Sequence, residues 1–404
     1  MLKTKFENFP KGKQFSTILG DLLGRGIFAV DGELWNMQRK MASLELGSVS
    51  IRSYAFEIVG DEIRNRLIPL LESNQNGSVL DLQDVLRRFS FDSICKFSFG
   101  TDPGCLKLSL PVSDLQVAFD LASKLSAERA MTVSPLVWKI KRALNIGSEK
   151  KLKEAIKMVD ILAEEVIMHK RKNDFTSQND LLSWFMRNID DDKLLRDIVV
   201  SFLLAGRDTV ASALTTFFWL LSKHPQVIDE IRAESSRVIG KKTKKATLAI
   251  FEEIRKMHYL TAALHESMRL FPPVQFDSKF CQYNDTLPDG TFVAKGTRVT
   301  YHPYAMGRME SIWGQDCLEF KPERWLQDGV FKPQCPFKYP VFQGGVRVCL
   351  GKDLAIVEMK SIALALIRQF DFQVVAKGDT PKFMPGLTAT VRGGLPVMVQ
   401  ERQQ

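Results

Sequence analysis

The chain has 404 residues, 45% of them hydrophobic and 25% charged, and a formal net charge of +9. That length can bury a large core, and the composition excludes a disordered, collagen-like or low-complexity polymer. The basic residues are spread along the chain and no basic run is interleaved with aromatics, so an acidic protein face or an anionic lipid surface is the expected partner and nucleic acid is not.

The six cysteines (Cys95, Cys105, Cys281, Cys317, Cys335, Cys349) form no Cys-x-x-Cys pair, which fits a reducing, cytosol-facing setting rather than a disulfide scaffold. The stretch Met1–Lys13 is polar and broken by Pro10 and Gly12, unlike a signal peptide or an anchor. No linker or internal repeat divides the chain, so a single mostly helical domain over 1–404 is expected.

Gln14–Val30 reads as an irregular, glycine-punctuated segment. Asp31 then reads as the N-cap of a helix on which Trp35 and Arg39, four apart, share a face. An indole N–H beside a guanidinium suits a carboxylate; taken alone, the pair is better explained as a Trp–Arg stack on a helix surface. Apolar residues recur at helical spacing over Ser53–Ser73, Leu80–Phe99, Ser113–Ala130 and Lys151–Lys172. The polar segment Asn173–Asn179 reads as an exposed, mobile loop.

The next helix is predicted over Asp192–Lys223, ending before Pro225. At about 1.5 Å per residue it crosses a whole domain. Arg207 and Asp208 interrupt its apolar run, which argues for a core helix rather than a membrane span. At its centre, Ala205-Gly-Arg-Asp-Thr209 sets Gly206 where a bulky neighbour comes close. Asp208 and Thr209 offer groups that either bond back to the backbone or relay protons. The alternative is a glycine kink with solvated charges.

Helices follow over His224–Ile239 and Ala249–Tyr259, then one that contains Glu266 and Arg269 and ends at Phe271-Pro-Pro273. Glu266 and Arg269 can pair, and Arg324 is a second guanidinium for the same carboxylate. Thr291–Val293 and Thr297–Tyr301 alternate like short strands, as do Phe372–Val375 and Val397–Gln400. Gly386–Thr390 reads as an apolar loop. Lys352–Gln369 is an amphipathic helix. The five histidines have no zinc-ligand spacing and read as structural.

Ahead of that last helix lies Pro340-Val-Phe-Gln-Gly-Gly-Val-Arg-Val-Cys-Leu-Gly-Lys352, with Cys349 between Gly345 and Gly351. A thiolate in a glycine-rich loop at a helix N-terminus gains from the dipole and the free N–H groups. By itself it could be a nucleophile, a zinc ligand or the axial ligand of a haem iron.

The spacing Phe342, Gly345, Arg347, Cys349, Gly351 resembles the haem-thiolate loop of the cytochrome P-450 monooxygenase superfamily. The order Trp35…Arg39, Ala205-Gly-x-Asp-Thr209, Glu266-x-x-Arg269, Pro322-Glu-Arg324 and then the cysteine loop matches that superfamily's motif order. The resemblance implies a mainly α P-450 fold with small β-sheets, and haem b between the long central helix and the cysteine loop. It makes Cys349 the axial thiolate, whose electron donation assists O–O cleavage. Trp35, Arg39 and Arg347 would bind the haem propionates, with Lys279 in place of an arginine many relatives carry. Asp208 and Thr209 would deliver protons to dioxygen, for which Gly206 leaves room, while Glu266, Arg269 and Arg324 support the loop. It further implies an NADPH-driven reaction fed by NADPH–cytochrome P-450 reductase on a basic face, at the cytosolic side of the endoplasmic reticulum membrane. A haem-thiolate isomerase or dehydratase is the rival, against which Asp208 and Thr209 argue.

A finer resemblance is to plant ω-hydroxylases of fatty acids and jasmonates. Gly26–Gly32, Arg39–Gly47, Leu80–Val85, Phe271–Phe280 and Gly386–Thr390 carry it. Within that group the chain looks most like oxidases of 12-hydroxy-jasmonoyl-isoleucine. The resemblance puts Ile27, Phe28, Val30, Phe202, Ala205, Val274, Phe276, Leu387 and Thr388 in the substrate wall, with Arg25 or Lys13 as candidate cations for the substrate carboxylate. It also implies that a membrane anchor, a first helix and the first strands of a sheet precede the part seen here. The strands near Phe292 and Val299 are then expected to lack partners, with poor haem binding by the chain alone.

Overall fold

The computed structural model describes residues 1–74, 77–106, 114–173, 175, 180–240, 251–375, 380–384 and 386–402. Its first helices are α1 (Gly12–Leu23), α2 (Gly32–Leu46), α3 (Val49–Glu62), α4 (Ile68–Ser73) and α5 (Leu82–Phe99). A π-type turn, Ile63–Leu67, joins α3 to α4, so the helix expected over Ser53–Ser73 starts earlier and is continuous. Next come α6 (Asp114–Met131), α7 (Pro135–Leu144), α8 (Gly147–Lys172) and α9 (Leu181–Met186). The long central helix is α10 (Asp192–Leu203) and α11 (Thr209–Lys223), joined by a second π-type turn, Leu204–Asp208. The rest are α12 (Pro225–Val238), α13 (Phe251–Arg255), α14 (His258–Leu270), the short α15 (Pro303–Met306) and α16 (Glu310–Trp313), and α17 (Lys352–Gln369).

Caps written in the sequence set several boundaries. Asp81 accepts from the Gln83 amide at the start of α5, and Gly100 closes that helix in the left-handed conformation. Asp191 accepts from the amides of Lys193 and Leu194 at the start of α10. Pro225 opens α12, where its missing N–H leaves no orphan.

All sheets are small and antiparallel. One has three strands in the order β1 (Val79–Asp81), β11 (Pro396–Glu401), β8 (Phe370–Val374), with Leu80 opposite Val397 and Val399 opposite Phe372. Four are pairs: β2 (Asp277–Phe280) with β5 (Arg298–Tyr301), β3 (Asp285–Thr286) with β4 (Phe292–Val293), β6 (Leu326–Gln327) with β7 (Val330–Phe331), and β9 (Phe383–Met384) with β10 (Thr390–Val391).

Two expectations are corrected here. Gln14–Val30 is not irregular, because α1 covers most of it with Leu19, Leu22 and Leu23 buried on one face. The strands at Phe292 and Val299 do not lack partners altogether, since each has one antiparallel neighbour and the amides of Phe280 and Gln282 bond to the carbonyls of Pro10 and Asn8. Each pair holds two strands only among the described residues, however, which leaves the expected open edge on β5. Residues 174 and 176–179 of the predicted mobile loop, residue 113, and residues 249–250 of the predicted helix lie outside the described residues.

Among the described residues the core has two large centres and a small one at Phe9, Cys281 and Val293. One large centre gathers α11, α14 and α17 around Leu214, Phe217, Leu264 and Leu366; the other gathers α1, α5, α8 and α10 around Leu22, Leu152, Phe185 and Val199. Each such side chain, fully buried, contributes about 1.5–3 kcal/mol. The central helix passes from one centre to the other at the turn Leu204–Asp208. Of its apolar window, 72% is buried inside the protein, as befits a core helix.

Candidate active site

A π-type turn carries one extra residue and leaves backbone carbonyls without regular partners. Here the Thr209 hydroxyl fills that role, donating to the Ala205 carbonyl at 2.7 Å. The turn borders a cavity of about 570 Å³ lined mainly by apolar side chains, within the usual size range for a small-molecule site. Ala205, Gly206 and Thr209 lie on one wall and Cys349, Leu350 and Gly351 on another.

Backbone geometry fixes the cysteine loop. Gly345 has φ +69, and a Cβ there would stand 1.9 Å from the Leu2 carbonyl oxygen, so only glycine fits. The Cys349 amide donates to the Phe342 carbonyl at 2.8 Å, which folds the loop back on itself before Gly351 opens α17. Cys349 is exposed, but only towards the cavity it lines. Enclosure by protein pushes its thiol pKa up, while the Gly351 amide, Arg39 and Lys352 pull it down. Among the described residues no group of three His, Cys, Asp or Glu side chains is arranged to hold a metal ion.

Trp35 is buried between two guanidiniums, Arg347 at 4.6 Å and Arg39 at 5.5 Å from its ring centroid. Arg39 donates to the Val348 carbonyl at 2.8 Å. Arg347 reaches the carbonyls of Ile27 and Val30 and the Asp31 carboxylate, while its Nε is buried without a partner. Asp31 stands at the N-cap position of α2 without capping that helix. Its carboxylate instead accepts from the amides of Lys11 and Gly12 at the start of α1.

Lys279 lies beside this cluster rather than on the cavity wall. Its ammonium is buried without a partner, and burial together with Lys11 and Arg347 lowers its pKa to about 7 despite Asp277. Lys11 pairs with Asp277, which also accepts from the Tyr301 hydroxyl at 3.0 Å.

The expected acid and hydroxyl face different ways. Thr209 lines the main cavity, whereas Asp208 lines a second pocket of about 300 Å³ with Arg87, Asp120 and Lys124. Asp208 Oδ1 is buried without a hydrogen bond, with Arg207 at 3.4 Å and Arg87 at 3.9 Å. Burial raises its pKa against the pull of both arginines. Thr388, Gly386 and Met384 line both spaces. The bulky neighbour of Gly206 is Ile94 of α5, which a Cβ would meet at 2.3 Å.

Behind the loop, Glu266 and Arg269 are fully buried and joined by two hydrogen bonds of 2.8 and 2.7 Å. Glu266 also accepts from Arg324 Nε, Trp325 Nε1 and the Lys321 amide. Arg269 and Arg324 spend their remaining donors on the carbonyls of Cys317, Glu319, Trp313 and Asp316, among others. His265 sits among the rings of Trp325, Phe331 and Tyr339, where burial lowers its pKa to about 3.

Of the residues expected in the substrate wall, Ile27, Phe28, Phe202, Ala205, Val274, Phe276, Leu387 and Thr388 line the cavity. Val30 does not; it meets the site only through its carbonyl on Arg347. Arg25 and Lys13 do not line it either: Arg25 turns outward to Asp191, and Lys13 is exposed. Among the lining residues that sequence reasoning missed, two carry ionisable groups that bear on the site. Glu358 of α17 lines the cavity with Oε1 buried and unpartnered, and burial raises its pKa to about 8. Its signal was a lone acid at helical spacing from Leu354 and Ala355. The other is Arg298, whose place no local pattern marks.

These features fit a haem. The pocket is apolar, a single thiol stands on its wall, a Cβ on Gly351 would meet nothing within 4 Å, and Arg347 Nε awaits an acceptor beside Trp35 and Arg39. Comparison with known proteins agrees. A family model described as Cytochrome P450 matches residues 1–399. Cytochrome P450 94C1 of Arabidopsis thaliana is 62% identical over the whole chain and 82% of its own length. Cytochrome P450 94B1 of the same plant is 47% identical, and Cytochrome P450 94A1 of Vicia sativa 44%, each over the whole chain and 80% and 79% of their lengths.

Proposed function

The chain belongs to the cytochrome P450 family of haem-thiolate monooxygenases, and we propose that it oxidises the terminal (ω) carbon of a carboxylate-bearing aliphatic substrate. The substrate class we favour is jasmonoyl-isoleucine and its 12-hydroxy form, with fatty acids as the alternative. The observation that carries this reading is the apolar cavity that ends at Cys349 and Thr209 and is walled by Ile27, Phe28, Phe202, Val274, Phe276 and Leu387. Such a wall holds a hydrocarbon tail by apolar burial and offers few polar partners along its length.

When bound, the haem supplies insertion of one oxygen atom of O₂ into a C–H bond, with two electrons from NADPH through a flavin reductase. Cys349 would ligate it, and Trp35, Arg39 and Arg347 would hold its propionates, while Lys279, off the cavity wall, would act on them only through its charge. Phe342, Gly345 and Gly351 shape the loop that carries the cysteine. Thr209 keeps its hydroxyl proton on the Ala205 carbonyl and its oxygen towards the cavity. Asp208, its pKa raised by burial against the pull of Arg207 and Arg87, stands on the far side of the turn, and Thr388 lines both spaces. Glu266, Arg269 and Arg324 act as a rigid support.

Membrane association fits α7. Leu136, Val137, Ile140 and Leu144 expose their side chains there, next to Lys139, Lys141 and Arg142. An apolar face edged by cations lies well at an anionic lipid surface, here that of the endoplasmic reticulum. Ala130 and Met131, at the end of α6, line the cavity, so its mouth opens beside that face.

Mass analysis of products made with reductase and NADPH from 12-hydroxy-jasmonoyl-isoleucine, jasmonoyl-isoleucine and lauric acid tests the reading. Oxidation at the terminal carbon is expected. Oxidation confined to mid-chain carbons, or of neutral substrates only, contradicts it.

A further inference from the structure

Four cations line the cavity: Lys11, Arg39, Arg298 and Arg347. Three are committed. Lys11 pairs with Asp277, Arg347 with Asp31, and Arg39 sits beside Cys349 with a hydrogen bond to Val348. Arg298 has no carboxylate partner among the described residues. It is held in place all the same. Its Nε donates to Ser278 Oγ at 2.9 Å across the β2–β5 pair, and its Nη1 donates to the Ala130 carbonyl at 2.8 Å. Ser278 in turn shares a hydrogen bond of 2.9 Å with Thr300. Two bonds thus fix the plane of the guanidinium, while no bond to Nη2 is seen among the described residues.

Position matters as much as charge. Ala130 stands in the last turn of α6 beside Met131, which lines the cavity and is itself exposed, and Arg298 is exposed as well. Arg39, Trp35 and Cys349 gather around the cysteine loop, and Arg298 is not among the charges that act on Arg39 or Cys349. The lining is mainly apolar and includes Phe15, Ile18, Met131 and Phe280, the last directly opposite Arg298 in the β2–β5 pair.

Building on the ω-oxidation reading, we propose that Arg298 binds the carboxylate of the substrate at the mouth and so sets which end of the chain reaches Cys349. A carboxylate keeps its hydration cheaply at a wet rim and loses it at great cost in an apolar interior. A preorganised guanidinium at the rim therefore holds the anion out and sends the tail in. Selectivity for the far carbon follows from the length of the slot between the two, with no recognition of the terminal methyl itself.

Lauric acid and methyl laurate serve as probes, titrated into the haem-loaded chain by difference spectrum and independently by calorimetry. Arg298→Gln should weaken the acid roughly tenfold, in line with loss of one hydrogen-bonded charge at a partly exposed site, and leave the ester unchanged. Arg298→Lys should recover part of the loss. Ser278→Ala, which keeps the charge and frees its orientation, should weaken the acid less than Arg298→Gln and shift oxidation inward from the terminal carbon. Equal weakening of acid and ester, or an acid affinity that Arg298→Gln leaves intact, overturns the assignment while the ω-oxidation reading stands. Wild-type protein that binds neither probe nor a jasmonate conjugate overturns both.

Discussion

Arg347 Nη2 lies 2.7 Å from Asp31 Oδ1, and through that carboxylate the cysteine loop is tied to the start of α1 and the start of α2. One side chain thus orders both walls that carry Trp35, Arg39 and Cys349. Asp31→Asn leaves the half-buried Arg347 guanidinium without its counter-charge. The expected cost is roughly 1–3 kcal/mol of stability and a lower haem content at equal expression. Thermal unfolding and the haem-to-protein ratio measure both; an unchanged ratio contradicts the assigned role.

Glu266 offers a stronger case, since it and Arg269 are wholly buried. Glu266→Ala strands two arginines and the Trp325 indole together. A loss of about 3–5 kcal/mol is expected, a large share of the roughly 5–15 kcal/mol that holds a typical domain folded. Denaturant unfolding of the soluble fraction tests this, and a midpoint within error of the wild type refutes it.

Lys279 gives a pH signature. Its folded pKa of about 7 lies below the ordinary lysine value, so between about 7 and 10.5 the unfolded chain binds more protons than the folded one. Stability of the haem-free chain then rises with pH across that window, and the cost of burying the ammonium is fully present below it. Lys279→Met should stabilise the haem-free protein most below pH 7, with the gain fading towards pH 10. A gain independent of pH contradicts the buried, unpartnered ammonium.

Thr209 and Asp208 separate into two phenotypes because they face different spaces. Thr209→Ala should raise the NADPH consumed per product formed, with a stability change under about 1 kcal/mol for the lost bond to Ala205. Asp208→Asn should slow product formation without altering the affinity for lauric acid. Product yield per NADPH unchanged in Thr209→Ala counts against the relay.

On α7, Val137→Asp with Ile140→Asp should reduce pelleting with vesicles of phosphatidylcholine and phosphatidylserine, because two negative charges replace two exposed apolar side chains. Turnover of a soluble substrate should persist. Equal pelleting with the wild type locates membrane contact elsewhere.

The long helices were legible because packing repeats every three or four residues: α17 matches its predicted span Lys352–Gln369, and α12 differs from its own by one residue at each end. α1 was not legible, since Gly20, Gly24 and Gly26 read as breaks although Leu19, Leu22 and Leu23 carry a buried face. The motif residues Trp35, Arg39, Arg347 and Cys349 do converge, and their spacing in sequence reflects that shared site. What spacing cannot encode is direction. The π-type turn sends Asp208 and its neighbour Thr209 into separate spaces, and Asp31 serves a helix other than its own. Arg298 becomes visible only once β5 is paired with β2 and set against the end of α6.

The account turns on Cys349 as the ligand of a haem in the cavity beside the Leu204–Asp208 turn. The difference spectrum of the dithionite-reduced protein with and without carbon monoxide reads the identity of that ligand directly. The wild type should show the red-shifted band of a thiolate-bound haem, and Cys349→Ser should lose it. A thiolate band that survives in Cys349→Ser, or a wild type that binds haem without one, contradicts the account.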